Sequence, residues 1–230
     1  MQRQRQQQRL PARKRRRTRN QFRAAPARGA LPSAELKNFD GEKTVTIPAA
    51  TGTIMNTSIC TVGQGVTDVT RVGRKMVIRR IHLKGAIRMP NNNAANECSD
   101  RIRLVVYHDK QNNLNNTAVA VSDLISAAPS STLKIDNFRN LTQTGRFTFL
   151  YDKTHDINCA AGSFDGTNPD FSESQYSFEP INISCNIPVE FTGATGAITE
   201  MTSNNVGIMC ISMEAVSQIL YNWRIRFTDY

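Results

Sequence analysis

The sequence predicts an all-β fold in which two antiparallel sheets pack face to face. Three observations support this prediction. Apolar and polar side chains alternate with a period of two residues in eight separate segments. Only one segment has the pattern of a helix, and the chain shows neither a strand–helix–strand alternation nor an internal repeat. Eight antiparallel strands in a chain of 230 residues fit an eight-stranded jelly-roll sandwich.

The predicted strands follow one another from residue 42 to the end of the chain. They cover residues 42–48, 54–62, 75–89, 101–109, 146–152, 175–191, 206–213 and 221–230. The third strand alternates most clearly, because Ile81 and Leu83 stand between basic residues. Its even positions are Arg80, His82, Lys84 and Arg88. One face of this strand is therefore predicted to be buried and the other to be basic.

Three further patterns refine this outline. Phe147, Phe149 and Tyr151 alternate, so we expect them on one side of the fifth strand. Pro180 and Pro188 interrupt the sixth strand, which predicts an edge strand or a break into two strands. The single predicted helix covers residues 118–127, with Thr117 as its N-cap and Pro129 beyond its end.

The charge of the chain is concentrated at its N-terminus. The whole chain has 29 Lys+Arg, 19 Asp+Glu and a formal net charge of +10. Residues 1–34 hold ten Arg, Lys14 and no acid, which is +11, so the other 196 residues sum to −1. We therefore predict two parts: a basic arm over 1–34 and one jelly-roll domain over 35–230, which is long enough to bury a sizeable core.

The arm has the composition of a disordered segment that binds nucleic acid. Its only large apolar side chains after Met1 are Leu10, Phe22 and Leu31, too few for a core. Guanidinium groups bind phosphate oxygens, and a single aromatic residue offers little stacking, so binding is expected to be electrostatic. The predicted nucleic-acid-binding residues of the arm are Arg3, Arg5, Arg9, Arg13, Lys14, Arg15, Arg16, Arg17, Arg19, Arg23 and Arg28.

Other functions of the arm are less well supported. The cluster Arg13–Arg19 could also act as a nuclear localisation signal, whereas binding to a membrane surface lacks an apolar face. No apolar segment is long enough to span a bilayer, and the N-terminus does not resemble a secretory signal. The five scattered cysteines are expected to be free thiols in a reducing compartment.

The sequence shows no catalytic motif, so we expect neither enzymatic activity nor a cofactor. A phosphate-binding loop and a nucleophile elbow are both absent. A cupin-type metal site, which also occurs on jelly rolls, needs closely spaced ligands on one strand face, whereas His108 and His155 each stand directly beside an Asp. Aspartates near loops could bind Ca²⁺ between subunits, although solvated turn carboxylates are the favoured interpretation; they are Asp109, Asp152, Asp156, Asp165 and Asp170.

A family resemblance rests on five segments in a fixed order. They read VGRKMVIRRIHLKGAIRM, RIRLVVYHDKQNN, RFTFLYDKTHDIN, IPVEFTG and RIRFTDY. In this order they resemble the capsid protein of circular, Rep-encoding single-stranded DNA viruses, whose fold is similar to that of geminivirus and satellite tobacco necrosis virus coat proteins. The resemblance covers roughly residues 70–230.

The resemblance implies a structural protein that assembles into a small icosahedral shell, T=1 with sixty copies, around single-stranded DNA. It implies a location in the virion, and in the host nucleus during assembly, with the nuclear import machinery as a further partner. Two alternatives stay open: a coat protein of a satellite-type single-stranded RNA virus, and a cellular nucleic-acid-binding β-domain protein.

The resemblance also suggests a basic surface on the folded domain. It implies that strands 101–109 and 221–230 are neighbours in one sheet, which would bring together Arg101, Arg103, Arg224 and Arg226. Like charges this close need an anion, either phosphate or acidic residues of a neighbouring subunit. We therefore add these four arginines to the predicted nucleic-acid-binding residues.

Overall fold

The structure is a computed structural model, and it describes residues 35–48, 52–88, 99–115, 118–126, 135–158, 175–213 and 217–229. The predicted basic arm, residues 1–34, lies outside these ranges, so its disorder and its boundary with the domain stay predictions. Among the described residues no helix is long and apolar enough to cross a membrane.

Antiparallel strands make up most of the described chain. The strands are β1 (Leu36–Ile47), β2 (Thr53–Asn56), β3 (Lys75–Arg88), β4 (Ser99–Asp109), β5 (Phe147–Asn158), β6 (Gln175–Phe191), β7 (Met201–Ser203), β8 (Asn205–Ser212) and β9 (Ser217–Asp229). Each of the eight predicted segments overlaps one of them, and β7 is a short addition. The α-helix is α1 (Val121–Leu124), and the 3-10 turns are Asn113–Asn115, Leu141–Gln143 and Ile198–Glu200.

The strands form two sheets in the order of a jelly roll. One sheet has five strands in the order β1-β9-β3-β6-β7, and the other has four in the order β2-β8-β4-β5. Every strand pair within the sheets is antiparallel. The chain passes repeatedly from one sheet to the other, so strands far apart in sequence become neighbours. The predicted all-β jelly-roll sandwich is confirmed.

The main core lies between the two sheets, and β9 shows why the sequence folds this way. Its alternate residues Tyr221, Trp223, Ile225 and Phe227 are buried in this core, while the residues between them point away from it. Gly41 lies opposite Trp223 in β1. A Cβ atom at Gly41 would come within 2.2 Å of the Trp223 ring, so this close approach requires glycine.

A second apolar cluster covers the outer face of the four-stranded sheet. Tyr107, Phe147 and Met209 of the sheet pack there against Leu124 and Ile125 from the segment between β4 and β5. Every residue of β8 is consequently buried, which explains its continuous apolar run. The connection between β4 and β5 therefore forms part of the folded structure, and it fixes the outer surface of this sheet.

The structure corrects the predicted helix and the predicted face of β5. The helix is only one turn, Val121–Leu124, because Ile125 is extended and bridges to Arg139. In β5 a bulge lies opposite Val106/Tyr107, so Phe149 packs on the outer cluster whereas Tyr151 packs on the main core. The prolines of β6 agree with the predicted edge position, since only Glu190 and Phe191 of β6 pair with β7 on that side.

Candidate nucleic-acid interface

The outer face of the five-stranded sheet carries a row of basic side chains from β3 and β9. In the register of these strands Arg80 lies opposite Arg226, and His82 lies opposite Arg224. Lys84 follows on β3 and is exposed. We call these five residues the basic face. It arises because the residues between them, such as Ile81 and Ile225, are used by the core.

A β-bulge places Arg80 on this face. The pairing of β3 with both neighbours shifts between Ile78 and Arg80, so Arg79 is an extra residue. Without the bulge, Ile78 and Arg80 would point to the same side of the sheet. With it, Ile78 is buried in the core while Arg80 is exposed. The guanidinium of Arg79 donates hydrogen bonds to Asn186 and Thr228 across both neighbouring strands.

Arg80 and Arg226 face each other without an acidic partner in the described chain. No carboxylate among the described residues lies within ion-pair distance of either guanidinium. The Nε atom of Arg226 and the Nε2 atom of His82 are buried and have no hydrogen-bond partner among the described groups. Like charges directly opposite each other in a sheet are destabilising, so this position favours a bound anion.

Four residues of the basic face line a groove of about 560 Å³ on the outer face of the sheet, and Arg80 lies beside Arg226 outside this lining. The volume is in the range of small-ligand sites. The lining residues are Asp40, Gly41, Glu42, His82, Lys84, Asn222, Trp223, Arg224 and Arg226. The acidic residues come from the edge strand β1, whereas the basic ones come from β3 and β9. The groove is therefore acidic on one side and basic on the other.

Arg224 differs from Arg226 because it has an acidic partner. Its Nε and NH2 atoms donate to the two carboxylate oxygens of Asp40 at 2.7 and 2.6 Å. The hydrogen bonds from Arg224 lower the pKa of Asp40. The charge of Arg224 is thus compensated within the chain, and the pair marks the β1 side of the groove.

The structure contradicts the predicted clustering of Arg101, Arg103, Arg224 and Arg226. β4 belongs to the four-stranded sheet, where it pairs with β5 and β8, whereas β9 pairs with β1 and β3 in the other sheet. The strands 101–109 and 221–230 are therefore not neighbours in one sheet. The four arginines form two separate groups, with Arg101 and Arg103 on the four-stranded sheet.

Arg101 and Arg103 have acidic partners on β5. Arg101 donates to Asp156 at 2.6 Å between two well-exposed side chains. Arg103 donates to both oxygens of Asp152 at 2.7 and 2.6 Å. The argument that these two arginines need an external anion therefore does not apply, although their binding of nucleic acid stays a prediction.

The predicted calcium ligands are also engaged where the structure describes them. Asp109 is fully buried and accepts two hydrogen bonds from Arg146, at 2.9 and 2.8 Å. Asp165 and Asp170 lie outside the described residues. Within the described ranges no group of three His, Cys, Asp or Glu side chains could hold a metal ion.

The basic side of strand 75–89 is visible in the sequence, but Arg80, His82 and Lys84 were not among the predicted site residues. The local signal was their alternation with apolar residues. The missing information was the pairing of β3 with β9, which sets Arg80 directly against Arg226. The pairing of β3 with β9 continues to residues 88 and 218, so it runs along the whole length of the two strands.

Comparisons with known proteins give only distant likenesses. No family model matches the chain, and no curated protein matches it either. A solved structure of Desmodium yellow mottle tymovirus is 10% identical, covers 97% of this chain and 96% of that chain, and has a TM-score of 0.34. A 60-mer BFDV capsid protein is 6% identical, covers 84% and 92%, and also has a TM-score of 0.34. A structure of infectious bursal disease virus, Gt strain, is 8% identical, covers 86% and 34%, and has a TM-score of 0.27.

Proposed function

We propose that this chain is a viral capsid protein, which self-assembles into a small icosahedral shell and packages a single-stranded DNA genome. The observation that carries the proposal is the combination of a nearly neutral jelly-roll domain with a preceding segment of charge +11. The segment resemblance described above points to the same function. It also supports a T=1 shell of sixty copies.

The division of charge suits a shell protein. A domain of charge −1 can approach other copies of itself without strong repulsion, while the arm binds the polymer. Sixty arms would bring 60 × 11, on the order of 660, positive charges to the interior. Counterions released from phosphate favour packaging, and base identity has no obvious reader in such an arm.

The surface of the domain also suits contact between copies. Phe138 is 86% exposed and Leu141 is 76% exposed in the segment that covers the four-stranded sheet. Val66 is 93% exposed in the segment before β3. Large apolar side chains on an ordered backbone are typical of protein contact sites.

On this proposal the protein acts in the virion and not as an enzyme. Assembly in the host nucleus would use the cluster Arg13–Arg19 as an import signal. Along with the arm, we propose Arg226 and the adjacent basic face as the part of the domain that contacts the genome. Arg101 and Arg103 are weaker candidates because both have carboxylate partners. An RNA genome is the alternative within the same function, since electrostatic binding does not distinguish the two polymers.

A cellular nucleic-acid-binding protein is the second candidate, and the basic face is the observation that favours it. A protein that binds alone is expected to extend its positive surface onto the folded domain, as β3 and β9 do here. Size-exclusion chromatography followed by negative-stain imaging separates the two functions. Closed particles of uniform size support the capsid, whereas a protein that stays monomeric on single-stranded DNA supports the second candidate.

A further inference from the structure

We infer that the basic face and the groove beside it form a phosphodiester-binding site of the folded domain, in which Arg226, which lines the groove, and Arg80, its register partner on β3, hold one backbone phosphate of a single strand. The inference rests on the proposed function and makes its contact between the basic face and the genome specific, because it names the chemical group that is bound and the two residues that hold it. Lys84 and His82 extend the site along β3.

The opposed arginines are the first argument. Arg80 and Arg226 are direct partners in the β3–β9 register, and no described carboxylate pairs with either. Elsewhere the chain pairs its strand arginines with acids, as Arg224 with Asp40 and Arg103 with Asp152. The monoanionic phosphate of a nucleic-acid backbone, placed between two guanidinium groups, would turn this repulsion into attraction.

The unsatisfied donors are the second argument. The Nε–H of Arg226 is a buried donor without a hydrogen-bond partner among the described groups. The Nε2 atom of His82 is also buried without a partner there, and it is a donor when it carries the proton. Buried donors without a partner are costly, so they are rare unless a ligand completes them. Phosphate oxygens are acceptors only, and they can reach such donors from the open side of the groove.

The charges around the groove indicate which path a bound nucleic-acid strand would follow across the sheet. Asp40 and Glu42 line the β1 side, where they would repel phosphate. On the opposite side of β3, Ser184 pairs with Arg80 and Asn182 pairs with His82, so this side offers neutral polar groups. The bound nucleic-acid strand is therefore expected to cross the sheet over β3 and β9, away from β1.

An acidic side chain of a second copy is the competing partner. The groove favours phosphate because its donors lie below the surface, where a compact group with several acceptor oxygens can satisfy more than one of them.

Thermal unfolding of the full chain, kept at a concentration where sedimentation shows no assembly, distinguishes this site from the arm. The probe is pentathymidylate with hydroxyl groups at both ends, so that each of its phosphates is a diester. A ligand that binds folded and unfolded chains equally gives no shift, so an unfolded arm contributes none, whereas a site on the folded domain raises Tm by about 5 °C near saturation.

The test variant is Arg80→Gln with Arg226→Gln, and the matched control is Arg74→Gln with Lys110→Gln, two exposed residues that do not line the groove. Both variants remove two positive charges, but the control leaves the basic face intact. We expect the test variant to unfold at a higher temperature than wild type without the probe, because the repulsion is gone, and to lose the probe-dependent shift. The control is expected to keep that shift.

Three results would overturn the inference: a shift that survives in the test variant, an equal loss of the shift in the control, or no shift in wild type. A test variant that keeps the shift but forms no particles would assign the two arginines to contact with a second copy. Assembly of the wild-type chain into particles is measured in a separate experiment. A wild-type chain that shows the shift but never assembles would contradict the capsid proposal and leave this site standing.

Discussion

Arg103 and Asp152 form a two-pronged ion pair between β4 and β5, and the same guanidinium holds a distant part of the chain. Its NH1 atom donates to the backbone carbonyls of Ile135 and Asn137, at 3.0 and 2.6 Å. The Arg103 side chain is only 12% exposed. One side chain thus ties the segment before Phe138 to the four-stranded sheet, which makes Arg103 an anchor of the fold.

Replacement of Arg103 by Gln is expected to lower the free energy of unfolding by about 1–3 kcal/mol, because several partly buried acceptors lose their donor. Chemical denaturation measures this loss. Arg101→Gln is the control, since the Arg101–Asp156 pair is well exposed and its loss should cost about 0.2–1 kcal/mol. A drop in nucleic-acid content with no change in stability at Arg103 would show that the residue binds the genome instead.

Arg71 is a second anchor, and it is fully buried. Its Nε atom donates to the carbonyl of Val62 at 3.0 Å, and its two terminal nitrogens donate to the carbonyls of Gly73 and Gly193. The guanidinium also lies 4.1 Å from the centre of the Phe191 ring. Burial lowers the pKa of Arg71, and the carbonyls satisfy its donors.

Arg71→Met should therefore be strongly destabilising, by about 3 kcal/mol or more, since one buried and two partly buried carbonyls lose their donor. Equilibrium unfolding in urea provides the measurement. Arg74→Met is the matched control, because Arg74 is exposed and its replacement should change stability by less than about 0.5 kcal/mol. Equal effects at the two positions would contradict the anchoring role of Arg71.

The three described cysteines carry free thiols, and they should react slowly in the folded chain. Burial raises the pKa of Cys60 from 9.0 to about 12 and that of Cys185 to about 11. Burial also raises the pKa of Cys210 well above its ordinary value. Because the thiolate is the nucleophile, alkylation should be slow until the chain unfolds.

Iodoacetamide labelling followed by mass spectrometry of each peptide tests this prediction. We expect Cys60 and Cys210 to be labelled only in denaturant, and Cys185 to be intermediate. The raised pKa values also predict a pH effect: the unfolded chain loses these protons first above about pH 9, so stability should fall as pH rises from there. Rapid labelling of native Cys60 would contradict the buried position.

Phe138 offers a test of contact between copies that is separate from folding. Phe138→Ser removes an 86% exposed ring, so the unassembled chain should unfold within about 0.5 kcal/mol of wild type. The yield of particles should fall several-fold, as measured by analytical ultracentrifugation. Thr144→Ser, at an exposed polar residue of the same segment, should leave both quantities unchanged. A normal particle yield for Phe138→Ser would place the contact elsewhere.

The strands were predictable because each depends on a local pattern. Residues that alternate between core and solvent, such as Trp223 and Arg224, show their roles within one segment. Strand order has no such local signal. The placement of Arg103 and Arg226 in one sheet was wrong because β9 pairs with β1 and β3, whereas β4 pairs with β5 and β8.

Bulges and tertiary packing account for the other differences. Arg79 is an extra residue in β3, and it turns Arg80 to the outer face of the sheet. The alternation of apolar and polar residues does not reveal the position of such a bulge. The observed helix is shorter than the predicted one because Ile125 has an extended backbone and packs in the outer apolar cluster. The opposed pair of Arg80 and Arg226 could be found only once the strand register was known.

The most direct test of the capsid proposal is the mass of the purified full chain mixed with single-stranded DNA, measured by analytical ultracentrifugation at low and high salt. The proposal predicts a closed particle of 60 × 25.7 kDa, about 1.5 MDa before the mass of DNA. The DNA content should be independent of sequence and should decrease steeply as salt rises. A chain that stays at 25.7 kDa at every protein concentration, with and without DNA, would contradict the proposal.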